Sequence, residues 1–140
     1  MVGTLDLDVL ERQLRSRGSP LTPQRRAILK FLDGNTAHPS AAQILDAVTA
    51  DFPVVSRATV YNTLSLLEEI GALRTIRGGD GTLRYDPNTQ SHHHLCCPHC
   101  DRLEDVALTA VTLLLRGEAA AGTVRFEALC SQCREAPCLS

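Results

Sequence analysis

Apolar positions in the first half of the chain recur every three or four residues, the spacing that gives a helix one buried stripe. Val9, Leu10 and Leu14 mark a first short helix. It closes at Arg17-Gly18, where glycine accepts the left-handed terminal conformation. Thr22 followed by Pro23 reads as the N-cap and first residue of a second helix, with Ala27, Ile28, Phe31 and Leu32 as its stripe and Asp33-Gly34-Asn35 as its stop. After the connector His38-Pro39, Ser40 caps a third helix that buries Ala41, Ile44, Leu45 and Val48 and ends at Asp51-Phe52-Pro53. Ser56 caps a fourth. There Val60, Leu64, Leu67 and Ile70 face inward, Arg57, Thr59, Tyr61, Asn62 and Ser65 lie largely off the stripe, and Gly71 terminates the run.

Beyond Gly71 the period changes. Leu73–Arg77 and Thr82–Tyr85 are β-compatible and flank Gly78-Gly79-Asp80-Gly81, so they predict a β-hairpin. Helices followed by a basic hairpin make a winged helix-turn-helix, with the fourth helix placed to enter a DNA groove. Asp86–Gln90 reads as a hinge, after which histidine and cysteine dominate and a second domain begins. In that domain Val106–Arg116 reads as a mostly apolar helix and Thr123–Leu129 as a strand. The expected class is α+β: a winged-helix DNA-binding domain over 1–85, a hinge over 86–91, and a small α/β dimerisation and metal-binding domain over 92–140.

Length and charge sharpen this picture. Two modules sharing 140 residues have small cores, and such cores commonly need a metal or a partner subunit, so a homodimer is expected. No apolar run approaches the ~20 residues that span a bilayer, and the N-terminus lacks the form of a signal peptide, so a cytoplasmic protein is expected, without a membrane partner. In that reducing compartment six cysteines point to metal ligands or redox sensors rather than a disulfide framework. The net charge of −2 does not by itself suggest nucleic acid. Residues 1–85, however, hold ten Lys/Arg against nine Asp/Glu, and residues 86–140 hold four against seven, so any DNA contact belongs to the N-terminal half.

The strongest chemical signal is Cys97-Pro98-His99-Cys100 paired with Cys130-Ser131-Gln132-Cys133. Two such knuckles close a thiolate tetrahedron suited to structural zinc, a site that stabilises and does not catalyse. Disulfides or a redox dithiol are the competing readings. Cys96 and Cys138 fall outside the pattern. A second constellation is His92-His93-His94, with Asp86 before it, Asp105 after it and His38 upstream. On a strand His92 and His94 share a face and His93 points away. Nitrogen and oxygen donors without thiolate suit Fe(II), Mn(II) or Zn(II), and carboxylates tilt the choice to iron or manganese. On spacing alone a solvated histidine loop and a structural His38 stay open.

Taken together, Leu21-Thr22-Pro23-Gln24-Arg25, His38-Pro39, Ala58-Thr59-Val60-Tyr61-Asn62, Arg84-Tyr85-Asp86, the His92-x-His94-x-x-Cys97-x-x-Cys100 run and the Cys130-x-x-Cys133 knuckle resemble the ferric uptake regulator family, most closely its peroxide-responsive branch. The resemblance implies a regulatory metal on His38, Asp86, His92, His94 and Asp105, between the DNA-binding and dimerisation domains. Aspartate at 86 and 105 favours the peroxide-sensing branch, since iron sensors usually carry glutamates there and zinc sensors a cysteine in the set. In that branch bound Fe(II) reacts with hydrogen peroxide and a ligating histidine, His38 or His92 here, is oxidised, which releases the DNA; Mn(II) supports DNA binding without that reaction. A further metal site of some members falls on Ser91, His93 and Thr112 here and is not expected. For a double-stranded DNA operator, Arg57 is placed to reach a guanine edge and Tyr61 a thymine methyl. Thr59 and Asn62 accompany them, and Arg25, Arg26, Arg74, Arg77 and Arg84 are candidate phosphate contacts.

Rival readings use the same residues. A manganese-, iron- or zinc-responsive regulator of metal uptake is the nearest. An enzyme is not expected, because a catalytic iron or zinc needs an open position and a substrate pocket. A thiol switch through Cys96, Cys97 or Cys138 would leave the histidines as bystanders.

Overall fold

The computed structural model describes residues 5–135. The chain divides into two compact units, Met1–Ile76 with Leu83–Thr89, and Arg77–Thr82 with Gln90–Ser140. In the first, helices α1 (Leu7–Ser16), α2 (Pro23–Leu32), α3 (Ala41–Asp51) and α4 (Arg57–Glu69) precede strands β1 (Arg74–Arg77) and β2 (Leu83–Asp86), which pair as the wing of a winged helix-turn-helix.

Each helix begins where its sequence places a cap. The side chains of Asp6, Thr22, Ser40 and Ser56 accept from the backbone N–H of Val9, Arg25, Gln43 and Thr59, satisfying donors that a helix start leaves open. At α3 the Gln43 side chain returns the favour to the Ser40 N–H and completes a capping box. Helices α2, α3 and α4 contact one another pairwise, so α2 buries a wider face than one stripe. For that reason Leu29 is fully enclosed with Ile28 and Leu32, while Phe31 is half-buried. The core these helices share runs from Leu10 through Ile44, Val60, Leu64 and Leu67 to Leu73 and Tyr85.

The second unit is built on β3 (His93–Cys96), central in a three-stranded sheet. It pairs antiparallel with β4 (Leu103–Val106), His94 opposite Asp105 and Cys96 opposite Leu103, and parallel with β7 (Arg125–Glu127), Leu95 opposite Phe126. The helix expected over Val106–Arg116 is absent. Val106 ends β4 opposite His93, a 3-10 turn covers Leu108–Ala110, and β5 (Leu114–Leu115) pairs with β6 (Glu118–Ala119). Arg116 and Gly117 take φ of 54° and 85°, two successive left-handed residues that form the tight turn of a short hairpin. The expected strand at 123–129 is the shorter β7. A short helix α5 (Ser131–Glu135) carries the last described cysteine.

Candidate metal centres and nucleic-acid interface

Both cysteine knuckles lie in the second unit. The first is a turn in which the Asp101 N–H donates to the Cys97 carbonyl and the Cys97 N–H to the Arg102 carbonyl, each at 2.9 Å. Asp101 holds φ at 59° there, a left-handed position that aspartate tolerates better than most residues. The second is the start of α5, where the Cys133 N–H points at the Cys130 Sγ at 3.4 Å. Polar side chains lock the two together. Arg102 donates to the Gln132 side chain at 2.8 Å, and the Glu104 carboxylate accepts from the Ser131 N–H and hydroxyl at 2.8 and 3.0 Å.

As a result the sulfurs of Cys97, Cys100, Cys130 and Cys133 all fall within 4.8 Å of one another. Cys100 lies 3.7 Å from Cys130 and 3.8 Å from Cys133, sulfur to sulfur. Zinc held at about 2.3 Å by four thiolates sets a tetrahedral edge of about 3.8 Å, which the two separations from Cys100 match. Burial pushes the Cys97 thiol up, but the backbone groups of Cys130, Cys100 and His99 and the Cys100 side chain outweigh it and bring it down from 9.0 to about 7. The backbone at Arg102 pulls Cys100 down, yet burial and the neighbouring Cys130 and Cys97 leave it raised. A clustered set in which one thiolate is favoured and its neighbour disfavoured is what shared negative charge produces, and a cation removes the conflict. Cys96 is buried and stands apart from the four; Cys138 lies outside the described residues.

Of the histidine and aspartate candidates, His38 and Asp86 belong to the first unit, and His92, His94 and Asp105 to the second. In the first unit His38 and Asp86 are almost wholly buried, with His38 Nε2 3.4 Å from Asp86 Oδ2. The other carboxylate oxygen, Oδ1, accepts the Asn88 N–H at 2.9 Å, which fixes the plane of the carboxyl group. His38 holds φ at 52°, a backbone conformation that costs a side-chain-bearing residue about 1–2 kcal/mol. Such cost tends to be carried at working sites.

In the second unit His92 and His94 do share a face. Their Nε2 atoms lie 3.0 Å apart, and 3.1 and 3.6 Å from Asp105 Oδ1. Register explains the convergence: His94 is paired with Asp105 across β3 and β4, and His92 is two residues back on the same side. The His92 Nδ1 sits 2.6 Å from the Gln90 carbonyl. A carbonyl only accepts, so Nδ1 carries the proton and Nε2 keeps its lone pair for a cation. An edge of about 3.0 Å matches neighbouring ligands of a six-coordinate ion at about 2.1 Å. His93 points the other way, and its Nδ1 accepts the Val124 N–H at 3.0 Å, a bond that helps hold the sheet. Asn88 and Gln90 were not singled out from sequence, because they act through a backbone N–H and a carbonyl that every residue owns.

The nucleic-acid candidates lie on α4 and around it. Arg57, Tyr61, Asn62 and Ser65 form an exposed strip, while Thr59 is half-buried with its hydroxyl 3.0 Å from that of Ser56. Of the arginines, Arg25 donates to the Pro20 carbonyl at 2.9 Å, Arg77 to the Gly81 carbonyl at 2.9 Å, and Arg84 to the His38 carbonyl at 3.3 Å. Arg26 lies 3.6 Å from Glu11.

The model of the ferric uptake regulator family matches residues 16–128. This chain belongs to that family. Among curated relatives of the family member, the peroxide-responsive repressor PerR of Staphylococcus saprophyticus is 39% identical over 107 residues, 71% of this chain and 72% of its own length. PerR of Staphylococcus aureus is 41% identical over 92 residues, 66% of this chain but 62% of its own, so that match spans less than two thirds of the relative. Among solved structures, the Helicobacter pylori ferric uptake regulator aligns with a TM-score of 0.72 at 19% identity, over 93% of this chain and 92% of that one. The Campylobacter jejuni peroxide stress regulator aligns at 0.62 and 22%, over 92% and 98%. A zinc uptake regulator complexed with zinc and DNA aligns at 0.59 and 22%, over 92% and 93%. At these identities the structures establish the shared fold. Among the described residues no helix is long and apolar enough to cross a membrane.

Proposed function

We propose that this family member is a cytoplasmic, homodimeric, metal-dependent repressor that binds double-stranded DNA through its first unit, dimerises through its second, and senses hydrogen peroxide. The observation that carries the reading is the donor chemistry: two pre-aimed imidazoles and a carboxylate converge in the second unit, and a buried imidazole and carboxylate meet in the first. Neither group fills a coordination sphere alone. Together His38, Asp86, His92, His94 and Asp105 offer five nitrogen and oxygen donors, a set suited to Fe(II) or Mn(II). A metal that draws ligands from both units biases their arrangement and so couples metal binding to DNA binding. The Cys97, Cys100, Cys130 and Cys133 set holds structural zinc.

Bound ferrous iron supplies the one-electron chemistry that splits hydrogen peroxide. The chain's own residues determine where oxidation lands. His38 and His92 are the proposed targets, because each is buried beside a carboxylate and held in one orientation, His38 by its clamped backbone and His92 by Gln90. An oxidised imidazole is a poorer ligand, so the metal-coupled arrangement is lost. Arg57, Tyr61 and Asn62 contact base edges, with Thr59, Arg25 and Arg77 supporting the backbone contacts. The curated relatives named as peroxide-responsive repressors agree with this reading.

The test is operator binding by the zinc-loaded protein carrying Fe(II) or Mn(II), before and after brief peroxide, with mass spectrometry of tryptic peptides. The expected result is loss of DNA binding for the iron form alone, with one oxygen added to the His38 or His92 peptide. Survival of both forms would instead mark a manganese-, iron- or zinc-responsive regulator of metal uptake. Cysteine oxidation with zinc loss would mark a thiol switch.

A further inference from the structure

Residues 38–40 are bound to β2 within the first unit by one side-chain contact and one backbone bridge. The Arg84 Nη1 donates to the His38 carbonyl at 3.3 Å, and Ser40 and Arg84 form an antiparallel bridge that includes the Tyr85 N–H donating to the Pro39 carbonyl at 2.9 Å. The bridge uses the backbone and survives any substitution short of proline. The other contact depends on the Arg84 side chain, which is half-buried.

The local preferences of His38 run against the conformation it holds. Its φ of 52° disfavours any side chain, and the following Pro39 biases it towards extended backbone. Something outside the segment must hold it. Along β2 residues two apart share a face, so Arg84 and Asp86 lie on the same side. They grip His38 at its two ends: Arg84 at the carbonyl, and Asp86 Oδ2 at 3.4 Å from the imidazole Nε2.

We propose that Arg84 is a positioning residue for the regulatory metal, acting through the backbone of His38 rather than through a DNA phosphate. The proposal rests on the reading of His38 as a ligand. The half-buried Arg84 guanidinium is turned onto the carbonyl of the very residue read as a ligand. Residues that orient ligands typically change metal affinity by about ten-fold to a hundred-fold when removed.

The test uses the zinc-loaded full chain and measures Mn(II) affinity without DNA, by the paramagnetic signal of free Mn(II). Wild type, Arg84→Ala, Arg84→Lys, His38→Ala and the Arg84→Ala/His38→Ala double variant are compared, with zinc content and thermal midpoint alongside. Arg84→Ala is expected to weaken Mn(II) binding about ten-fold or more at unchanged zinc content, with partial recovery in Arg84→Lys. In the His38→Ala background, Arg84→Ala is expected to change Mn(II) affinity by less than about two-fold, the signature of one residue acting through the other. Should Arg84→Ala fail to fold, Arg84→Gln carries the same comparison. Unchanged Mn(II) affinity in Arg84→Ala, with weaker DNA binding, overturns the proposal in favour of a phosphate contact. An equal loss in both backgrounds overturns it in favour of general destabilisation. If His38→Ala itself leaves Mn(II) affinity intact, the ligand reading has failed and the proposal with it.

Discussion

In the first unit thirteen buried side chains, from Leu10 to Tyr85, form one hydrocarbon cluster, whereas the comparable cluster of the second consists of Leu95, Cys97 and Cys130. Two of those three are thiols of the zinc cradle, and the partly buried groups around them include its other two members, Cys100 and Cys133. Among the described residues, therefore, the first unit has a core that excludes water by itself, and the second has a core that is largely a ligand set. Apolar burial contributes about 25 cal/mol per Å², and one leucine with two cysteines supplies little of it. The same chain thus meets the stability problem in two ways, with helix packing in one unit and with a set of sulfurs that could hold a metal in the other.

The largest effect that would break this comparison comes from zinc removal. Structural zinc can contribute on the order of 10 kcal/mol to a small domain. Chelation, or Cys130→Ala, should abolish amide protection in β3, β4 and β7 while α2, α3 and α4 keep theirs, as read by hydrogen exchange. Protected β3 amides in the zinc-free protein would show that the second unit has a self-sufficient core.

Next in size is Leu64→Ala in α4, at a position with no solvent exposure. It should cost the first unit about 2–5 kcal/mol, the usual range for a leucine cavity. The thermal midpoint of the helical signal should drop while zinc stoichiometry stays at one per chain; parallel loss of zinc would tie the two cores together. A smaller change, about 1 kcal/mol, is expected from Ser56→Ala, which removes the cap accepting the Thr59 N–H at 3.1 Å. Chemical denaturation followed by far-UV dichroism measures it, and an unchanged midpoint would mean that another group takes over the cap.

The smallest effect sharpens the metal side. Cys97, drawn down to about 7, favours the folded form at alkaline pH and loses that contribution as pH falls through about 7. Cys100, raised, works the other way, and its contribution is lost as pH rises. In the metal-free chain the two partly cancel, but zinc needs each sulfur as thiolate, so retention against a chelator should fall as pH drops from about 8 to about 6. Retention that stays flat over this range would show that thiol protonation does not control zinc loss.

The helices of the first unit were readable because their signals are local. Thr22, Ser40 and Ser56 announce helix starts by side-chain chemistry, and a stripe such as Val60, Leu64 and Leu67 repeats within a few residues. The Val106–Arg116 segment misled because its apolar content suits a helix as well as a strand. What decides it is pairing with a distant strand, Val106 against His93, and a left-handed turn at Arg116-Gly117. Arg84 reads as a surface cation in sequence, and its contact with the His38 carbonyl spans 46 positions.

By itself the sequence determined which residues could be ligands, since thiol, imidazole and carboxylate are properties of single side chains and knuckle spacing is covalent. It also set where helices start. Only the folded chain decided how the donors are aimed: the tautomer of His92 set by Gln90, the carboxyl plane of Asp86 set by Asn88, and the left-handed backbone of His38 held against β2. Aiming depends on hydrogen bonds from main-chain groups, which every residue carries alike and which acquire identity only when tertiary structure brings them to one place.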